Sequence, residues 1–300
     1  MRRVLDYGAI IGCMREALVA QARGECDTPM PMHLDVTPVR GEVHIKASYR
    51  RGGRYFALKV ASTFPENLGR GMPTGNGMML LCSAETGEPV TLLQDEGHLT
   101  DLRTAAVAAM TAQALGCGDR TLGILGTGIQ ARLQARMMAL VLPLEAVWIW
   151  GRTAERVEEC RRELEAALPG VRVGVAESPA QVAGECRLIV TATASRAPLL
   201  APGDVRPKTR IFAVGSDGPG KQELDAEILR RATLILADSA PQCRKLGELQ
   251  HAPEAWERAM ETGAFCEHPV DAHGTVVCDF TGLGVEDLYI AEYCSERCGL

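Results

Sequence analysis

Aromatic residues are scarce in this chain: five Phe, five Tyr and three Trp in 300 residues. Lys and Arg number 32 against 38 Asp and Glu, a net charge of −6, and the basic residues are dispersed. With few rings for stacking and no basic patch, nucleic acid is not expected as a partner. No apolar run approaches the ~18–20 residues of a membrane span, so no membrane partner is expected. The start, Met1-Arg-Arg-Val-Leu-Asp6, passes into amphipathic sequence without the apolar region of a signal peptide, and a cytoplasmic location is expected. There is no C-x-x-C pair among the 11 cysteines, an odd and scattered set, so neither a metal site nor a disulfide framework is expected. Most read as reduced, half-buried small residues. Cys294 and Cys298, near the exposed end, are oxidation-prone candidates without an assigned role.

Three hundred residues suffice for two cores. A helix is predicted over 6–23, with Ile10, Ile11, Met14, Leu18 and Val19 on one stripe. Strands follow at Val43–Ser48 and Tyr55–Ala61 around the turn Arg50-Arg-Gly-Gly-Arg54, then at Gly77–Ser83 and Pro89–Gln94 around Glu85-Thr-Gly-Glu88. An alanine-dense helix is predicted from about Thr100 to Leu115. From Thr121 strands and helices alternate, with strands expected at 121–125, 146–150, 171–175, 187–192, 210–214 and 233–237; from about Val276 the chain is expected to return to helix. The fold class is therefore α/β: a doubly wound Rossmann domain over 116–275, and an α+β substrate-binding and dimerisation domain from 1–115 with 276–300.

The stretch Leu122-Gly-Ile-Leu-Gly-Thr-Gly-Ile-Gln-Ala131 is an apolar run that breaks into glycines and opens a helix. Gly126, Gly128 and Ala131 have the G-x-G-x-x-A spacing that lets a backbone turn tightly, approach a pyrophosphate and pack a helix on a strand. The helix N-terminus offers N–H groups to the phosphates. The next strand, Ala146-Val-Trp-Ile-Trp150, runs into Gly151-Arg152-Thr153, with no carboxylate before Glu155. An acid there would bind the ribose diol of NAD. A guanidinium and a hydroxyl suit a 2′-phosphate better, so NADP(H) is favoured, with NAD(H) the alternative.

Three charged residues stand out in otherwise structured context. Lys59 lies in the apolar strand Arg54-Tyr-Phe-Ala-Leu-Lys-Val60, on the face of Tyr55 and Ala57; it either snorkels at an edge or is buried, and burial would lower its pKa toward acid–base work. Arg103 is placed in the first turn of the 100–115 helix with Thr100 as N-cap, either a carboxylate anchor or a surface ion pair. Asp217, in Val214-Gly-Ser-Asp-Gly-Pro-Gly-Lys221, follows a predicted strand of the parallel sheet, where ligands bind; the alternative is a turn-forming Asp before Gly-Pro. Lys46 shares a polar strand face with His44 and Ser48, facing either solvent or a pocket.

Together these pieces resemble the ornithine cyclodeaminase/μ-crystallin family of nicotinamide-dependent enzymes. The resemblance rests on Lys59 followed by Gly71-Met-Pro-Thr74, on Leu99-Thr-Asp-Leu-Arg-Thr-Ala-Ala106, and on the glycine fingerprint. It continues through Val214-Gly-Ser-Asp-Gly-Pro-Gly-Lys-Gln-Glu-Leu224 and Gly282-Leu-Gly-Val-Glu-Asp287, so it covers nearly the whole chain. It implies that Arg103 holds a substrate carboxylate, that Lys59 is the acid–base group, and that Asp217 is a catalytic carboxylate. It implies cofactor contacts at Thr74, Arg103, Thr104, Gly126, Thr127, Gly128, Ile129, Gln130, Arg152, Thr153, Thr193, Val214, Gly215, Ser216 and Lys221, and a homodimer formed through the first domain.

The chain departs from relatives that act on ornithine. Their second carboxylate-binding arginine is missing from Pro29-Met-Pro-Met-His-Leu-Asp35, and Val43-His-Ile-Lys46 stands where they hold the distal ammonium, with Glu42 the nearest carboxylate. A cation at Lys46 repels a second ammonium and suits a second carboxylate. The pattern looks closer to relatives encoded with ectoine or hydroxyaspartate breakdown. The expected activity is hydride transfer at the α-carbon of a small imino or amino acid, as an imine reductase or amino acid dehydrogenase. The alternatives are an ornithine cyclodeaminase with no net redox change, and a crystallin-like binder of the cofactor.

Overall fold

The computed structural model of the protein describes residues 5–299, so the first four positions of the N-terminal stretch lie outside the described residues. The chain forms two compact units. One holds the described residues up to Arg103 and from Leu283 onward; the other is Thr104–Gly282. Among the described residues no helix is long and apolar enough to cross a membrane.

In the first unit, helix α1 (Tyr7–Ala22) opens at Asp6, whose carboxylate accepts from the Gly8 and Ala9 N–H groups, and buries Ile10, Ile11, Met14 and Leu18. The hairpins expected from the turn residues form one antiparallel sheet. Its strands are β1 (Cys26–Asp27), β2 (Met32–Val36), β3 (Gly41–Arg50), β4 (Tyr55–Thr63), β5 (Gly75–Ser83) and β6 (Pro89–Leu93). They pair in the order β1-β3-β4-β5-β6, with β2 also on β3. The C-terminal helix, Gly284–Cys298, packs across β3, β4 and β5 and against α1. Cys294, expected near an exposed end, is fully buried there, and burial pushes its thiol up to about 12. A thiol held that far above neutrality is not an oxidation-prone site.

Helix α2 (His98–Ala114) begins two residues before Thr100, which is therefore inside the helix and not its N-cap. The cap is supplied by Asp95, whose carboxylate accepts from the Leu99 N–H at 2.5 Å. Arg103 accordingly lies in the second turn rather than among the helix-start N–H groups.

In the second unit ten strands follow: β7 (Thr121–Leu125), β8 (Ala146–Trp150), β9 (Arg172–Val175), β10 (Leu188–Thr191), β11 (Arg196–Leu200), β12 (Arg210–Ala213), β13 (Gln222–Leu224), β14 (Leu234–Ala237), β15 (Ala259–Glu261) and β16 (Val276–Asp279). Eight form a sheet in the order β15-β14-β16-β12-β10-β7-β8-β9, every pair parallel. β11 and β13 pair separately. The chain winds outward from β7 through β8 to β9, then returns to the other side of β7 at β10. The carboxyl ends of β7 and β10 thus flank the topological switch point where doubly wound sheets take their ligands. The return to helix expected from about Val276 begins instead as β16, paired between β12 and β14, and the helix starts at Gly284.

Candidate active site

Strand alternation sends Ala57 and Lys59 of β4 to the face covered by the C-terminal helix. Lys59 is 2% exposed, so it is buried rather than snorkelling at an edge. Directly across the ladder from it is Lys46 of β3, also buried. The polar face shared by His44, Lys46 and Ser48 is therefore the inner one. The first turn of the C-terminal helix contributes Glu286 and Asp287, placed where the helix dipole favours negative charge. Asp287 receives Lys59 Nζ at 3.0 Å on one oxygen and Arg103 Nε at 3.1 Å on the other. Arg103 Nη1 donates to Glu286 at 3.0 Å. Three cations and two carboxylates thus share a buried cluster.

Electrostatics follow from that packing. Burial is the largest influence on Lys59 and drives its pKa down to about 7; Asp287 opposes the shift, while Arg103 and Lys46 add to it. Burial works to raise Asp287, but Lys59, Arg103 and Lys46 outweigh it and hold the carboxyl below its ordinary range. The arrangement offers a lysine that exchanges a proton near neutrality and a guanidinium fixed along one edge, a combination fit for a small carboxylate bearing a basic nitrogen.

The second unit carries the glycine loop as the spacing predicts. Gly126 has φ +131°, and a Cβ there would stand 2.6 Å from the Ala192 carbonyl oxygen, so only glycine fits. Gly128 is the N-cap of α3 (Ile129–Val141), no side chain caps that helix, and nothing lies within 4 Å of where the Gly128 Cβ would be, which leaves room beside the helix start for a phosphate. Ile129 opens the helix half exposed. Arg152 and Thr153, both exposed, follow β8 and lead into α4 (Ala154–Ala167), with Glu155 in its first turn. These features fit a dinucleotide. Arg132 of α3 went unnoticed in the sequence. Its guanidinium donates to the carbonyls of Thr127 (2.6 Å) and Gly128 (3.1 Å) and pairs with Glu163 of α4, bracing the loop from beneath. A lone arginine on a helix face gives no sequence signal for that.

The remaining candidates divide between the units. Thr74 precedes β5 in the first unit, where its carbonyl accepts from Phe64 N–H. Thr104 opens the second, its carbonyl accepting from Gln134, which also donates to Gln130. Asp217 lies in the second unit and pairs with Lys221 Nζ at 2.7 Å. Ser216 is fully buried and donates to the Lys221 carbonyl. Val214 is buried, Gly215 follows it, and Thr193 follows β10. Glu223, two residues beyond Lys221, is the acid that ties these loops together (below).

A family model for the "Ornithine cyclodeaminase/mu-crystallin family" matches residues 3–299. An uncharacterized cyclodeaminase of Sinorhizobium fredii is 36% identical over 305 residues, covering 98% of this chain and 91% of that protein. A solved lysine cyclodeaminase, described in terms of recognition of L-lysine, L-ornithine and L-2,4-diaminobutyric acid, is 32% identical with a TM-score of 0.89, over 98% of this chain and 86% of the other. The iminosuccinate reductase of Paracoccus denitrificans, solved with NAD⁺, is 27% identical with a TM-score of 0.86, over 98% of this chain and 92% of its own.

Proposed function

This chain belongs to the ornithine cyclodeaminase/mu-crystallin family, and from that premise we propose that it is a nicotinamide-dependent oxidoreductase reducing the C=N bond of a small imino acid. The observation that carries this reading is the buried Lys59, Arg103, Asp287 and Glu286 cluster. The glycine loop of the second unit would hold the pyrophosphate of a nicotinamide dinucleotide, which when bound would supply the hydride. Arg103 binds the substrate carboxylate, its own plane fixed by Asp287 and Glu286. Lys59 gives its proton to the imine nitrogen as that atom becomes an amine. Lys46, across the ladder from Lys59, favours a substrate with a second carboxylate, the class to which iminosuccinate belongs.

NADP(H) is the preferred cofactor in this reading, because exposed Arg152 and Thr153 stand at the end of β8 where a 2′-phosphate is received. Absorbance at 340 nm, with NADPH and NADH against cyclic and open-chain imino acids including iminosuccinate, tests both points. NADPH consumption with a dicarboxylic imino acid, at lower KM than NADH, is expected. Equal use of the two cofactors would remove the assignment to Arg152.

A cyclodeaminase is the second reading, favoured by the lysine cyclodeaminase relative and by Asp217 as base for an attacking amine or water. Ammonia from ornithine or lysine with catalytic NAD⁺ and no net absorbance change would establish it over reduction.

The antiparallel sheet of the first unit supplies the dimer contact. On the face of the sheet turned away from Lys59, registered rows run Met32–Ile45–Val60–Met78 and Leu58–Leu80–Leu92. Met32 is 58% exposed, Met78 42% and Leu92 52%. A continuous apolar sheet face of this kind is an interaction surface, and a second copy of the chain covers it. Light scattering is expected to give twice the chain mass. A wild-type monomer at micromolar concentration would remove this assignment.

A further inference from the structure

Glu223 is fully buried on the three-residue strand β13, and every partner of its carboxylate is a donor. Oε1 accepts from both the N–H and the hydroxyl of Thr193, each at 2.7 Å. Oε2 accepts from the Thr191 hydroxyl at 2.7 Å and the Gly215 N–H at 3.1 Å. Thr191 and Thr193 belong to the end of β10, and Gly215 to the loop after β12. Those backbones are in contact: a Cβ on Gly215 would stand 2.2 Å from the Thr193 carbonyl oxygen. One carboxylate therefore clips the end of β10 to the loop after β12: Oε1 holds Thr193 alone, and Oε2 joins Thr191 to Gly215.

Behind it the clip is anchored by other acids. Glu248 accepts from the N–H of Glu223 at 2.7 Å and of Leu224 at 3.2 Å. Asp279, at the end of β16, accepts from Glu248 N–H and Leu249 N–H, each at 2.9 Å. Backbone N–H groups hold each acid, so Glu223 cannot shift without moving the ends of β13 and β16 and the intervening turn.

We infer that Glu223 is a positioning residue for the cofactor: its ionised carboxylate sets the gap between the loops of Thr193 and Gly215 that receive the dinucleotide. This rests on the oxidoreductase reading above and adds to it a group that touches neither cofactor nor substrate. The ionised form is the competent one because two of the four donors are backbone N–H groups, which cannot reverse. A protonated carboxyl carries its own O–H, turns a threonine hydroxyl to accept it, and holds the Thr193 and Gly215 N–H groups more weakly than the charged form does. Burial pushes Glu223 up to about 7, against the lowering effect of its hydrogen bonds from Thr191, Thr193 and Gly215. The charged groups on the packed elements do not rescue it. Glu248 and Asp279 are acids, Lys221 is paired with Asp217, and Arg196 of β11 donates to the Pro219 carbonyl. Cofactor affinity thus falls as pH drops through neutrality.

NADH is the probe, since a 2′-phosphate titrates near pH 6 and would confuse an NADPH profile. Binding is followed by quenching of tryptophan emission, with Trp148 and Trp150 on β8 beside the glycine loop. Wild-type Kd is expected to rise about tenfold from pH 8 to pH 6. Glu223→Gln is expected to bind weakly at every pH with a flat profile. Thr191→Val, which removes one donor from the carboxylate while keeping its shape, is expected to move the midpoint to higher pH. A flat wild-type profile overturns the inference. So does a Glu223→Gln profile as steep as wild type, or an unmoved Thr191→Val midpoint, the last deciding the matter even if the glutamine variant does not fold. Failure of the wild type to bind either NADH or NADPH overturns the oxidoreductase reading as well, and so separates the two failures.

Discussion

Replacing Lys59 by methionine is expected to lower kcat for imino-acid reduction by about 10²–10⁴-fold, the usual contribution of a positioned acid–base group. Cofactor affinity is expected to remain near wild type, because the dinucleotide features lie in the other unit. Methionine keeps the volume of the buried stem and removes the proton donor together with its ion pair to Asp287, which Arg103 still holds. Lys59→Arg is expected to be no better: it keeps the charge, but a guanidinium does not release a proton near neutrality. The wild-type pH profile has a determined sign. Reduction needs the ammonium form, so with a pKa of about 7 the rate falls about tenfold per unit above neutrality, whereas amine oxidation, which needs the neutral form, rises about tenfold per unit up to neutrality and levels off above it. Steady-state kinetics in both directions check this. Activity of Lys59→Met within threefold of wild type would remove Lys59 from the chemistry.

The parallel sheet was legible where its strands were flanked by turn residues. All six expected strands from 121 to 237 are present, and the glycine loop lies at the switch point that the spacing implies. β16 was not legible. Val276–Asp279 is a four-residue buried run like β10 and β14, but it leads straight into the helix that starts at Gly284, and periodicity alone does not separate such a run from a helix entry. β11, β13 and β15 are short and lie at turns or edges. The start of α2 is not legible because Thr100 stands right before the alanine-rich run, while Asp95, the stronger capping type, reaches the helix from beyond Glu96 and Gly97.

Within the site, Lys59 was legible because a lysine inside an apolar strand is anomalous in itself. Its dependence on Asp287 was not, since the two are joined only when the C-terminal helix folds back over β4. The motif containing Asp287 was recognised without its electrostatic meaning. Glu223 shows the same limit. It sits in a three-residue strand with no period, and its partners Thr191, Thr193 and Gly215 come from two other loops. Side chains that act on a ligand leave a type-and-spacing signal. Those that act on other side chains become visible only in three dimensions.

Arg103→Met should produce two losses with one origin. Glu286 and Asp287 are each about 1% exposed and share the Arg103 guanidinium through bonds of 3.0 and 3.1 Å. Removing it leaves two adjacent buried carboxylates with Lys59 as their nearest remaining cation, and breaking a buried pair of this kind costs about 3–5 kcal/mol of stability. It also removes the substrate anchor, for which losing one partner of a buried charge-assisted pair costs about 2–5 kcal/mol, or roughly 30- to 5000-fold in kcat/KM. Arg103→Lys separates the losses. A point charge restores much of the balance with the two acids, but it cannot hold Asp287, Glu286 and a substrate carboxylate in one plane. Its melting temperature should therefore recover toward wild type while KM stays high. Electrostatics adds a third readout. Arg103 depresses Lys59, so in Arg103→Met the alkaline limb of the reduction profile should move to higher pH. A limb that stays in place, with KM unchanged, would show that Arg103 is a structural ion-pair partner and that the carboxylate is held elsewhere.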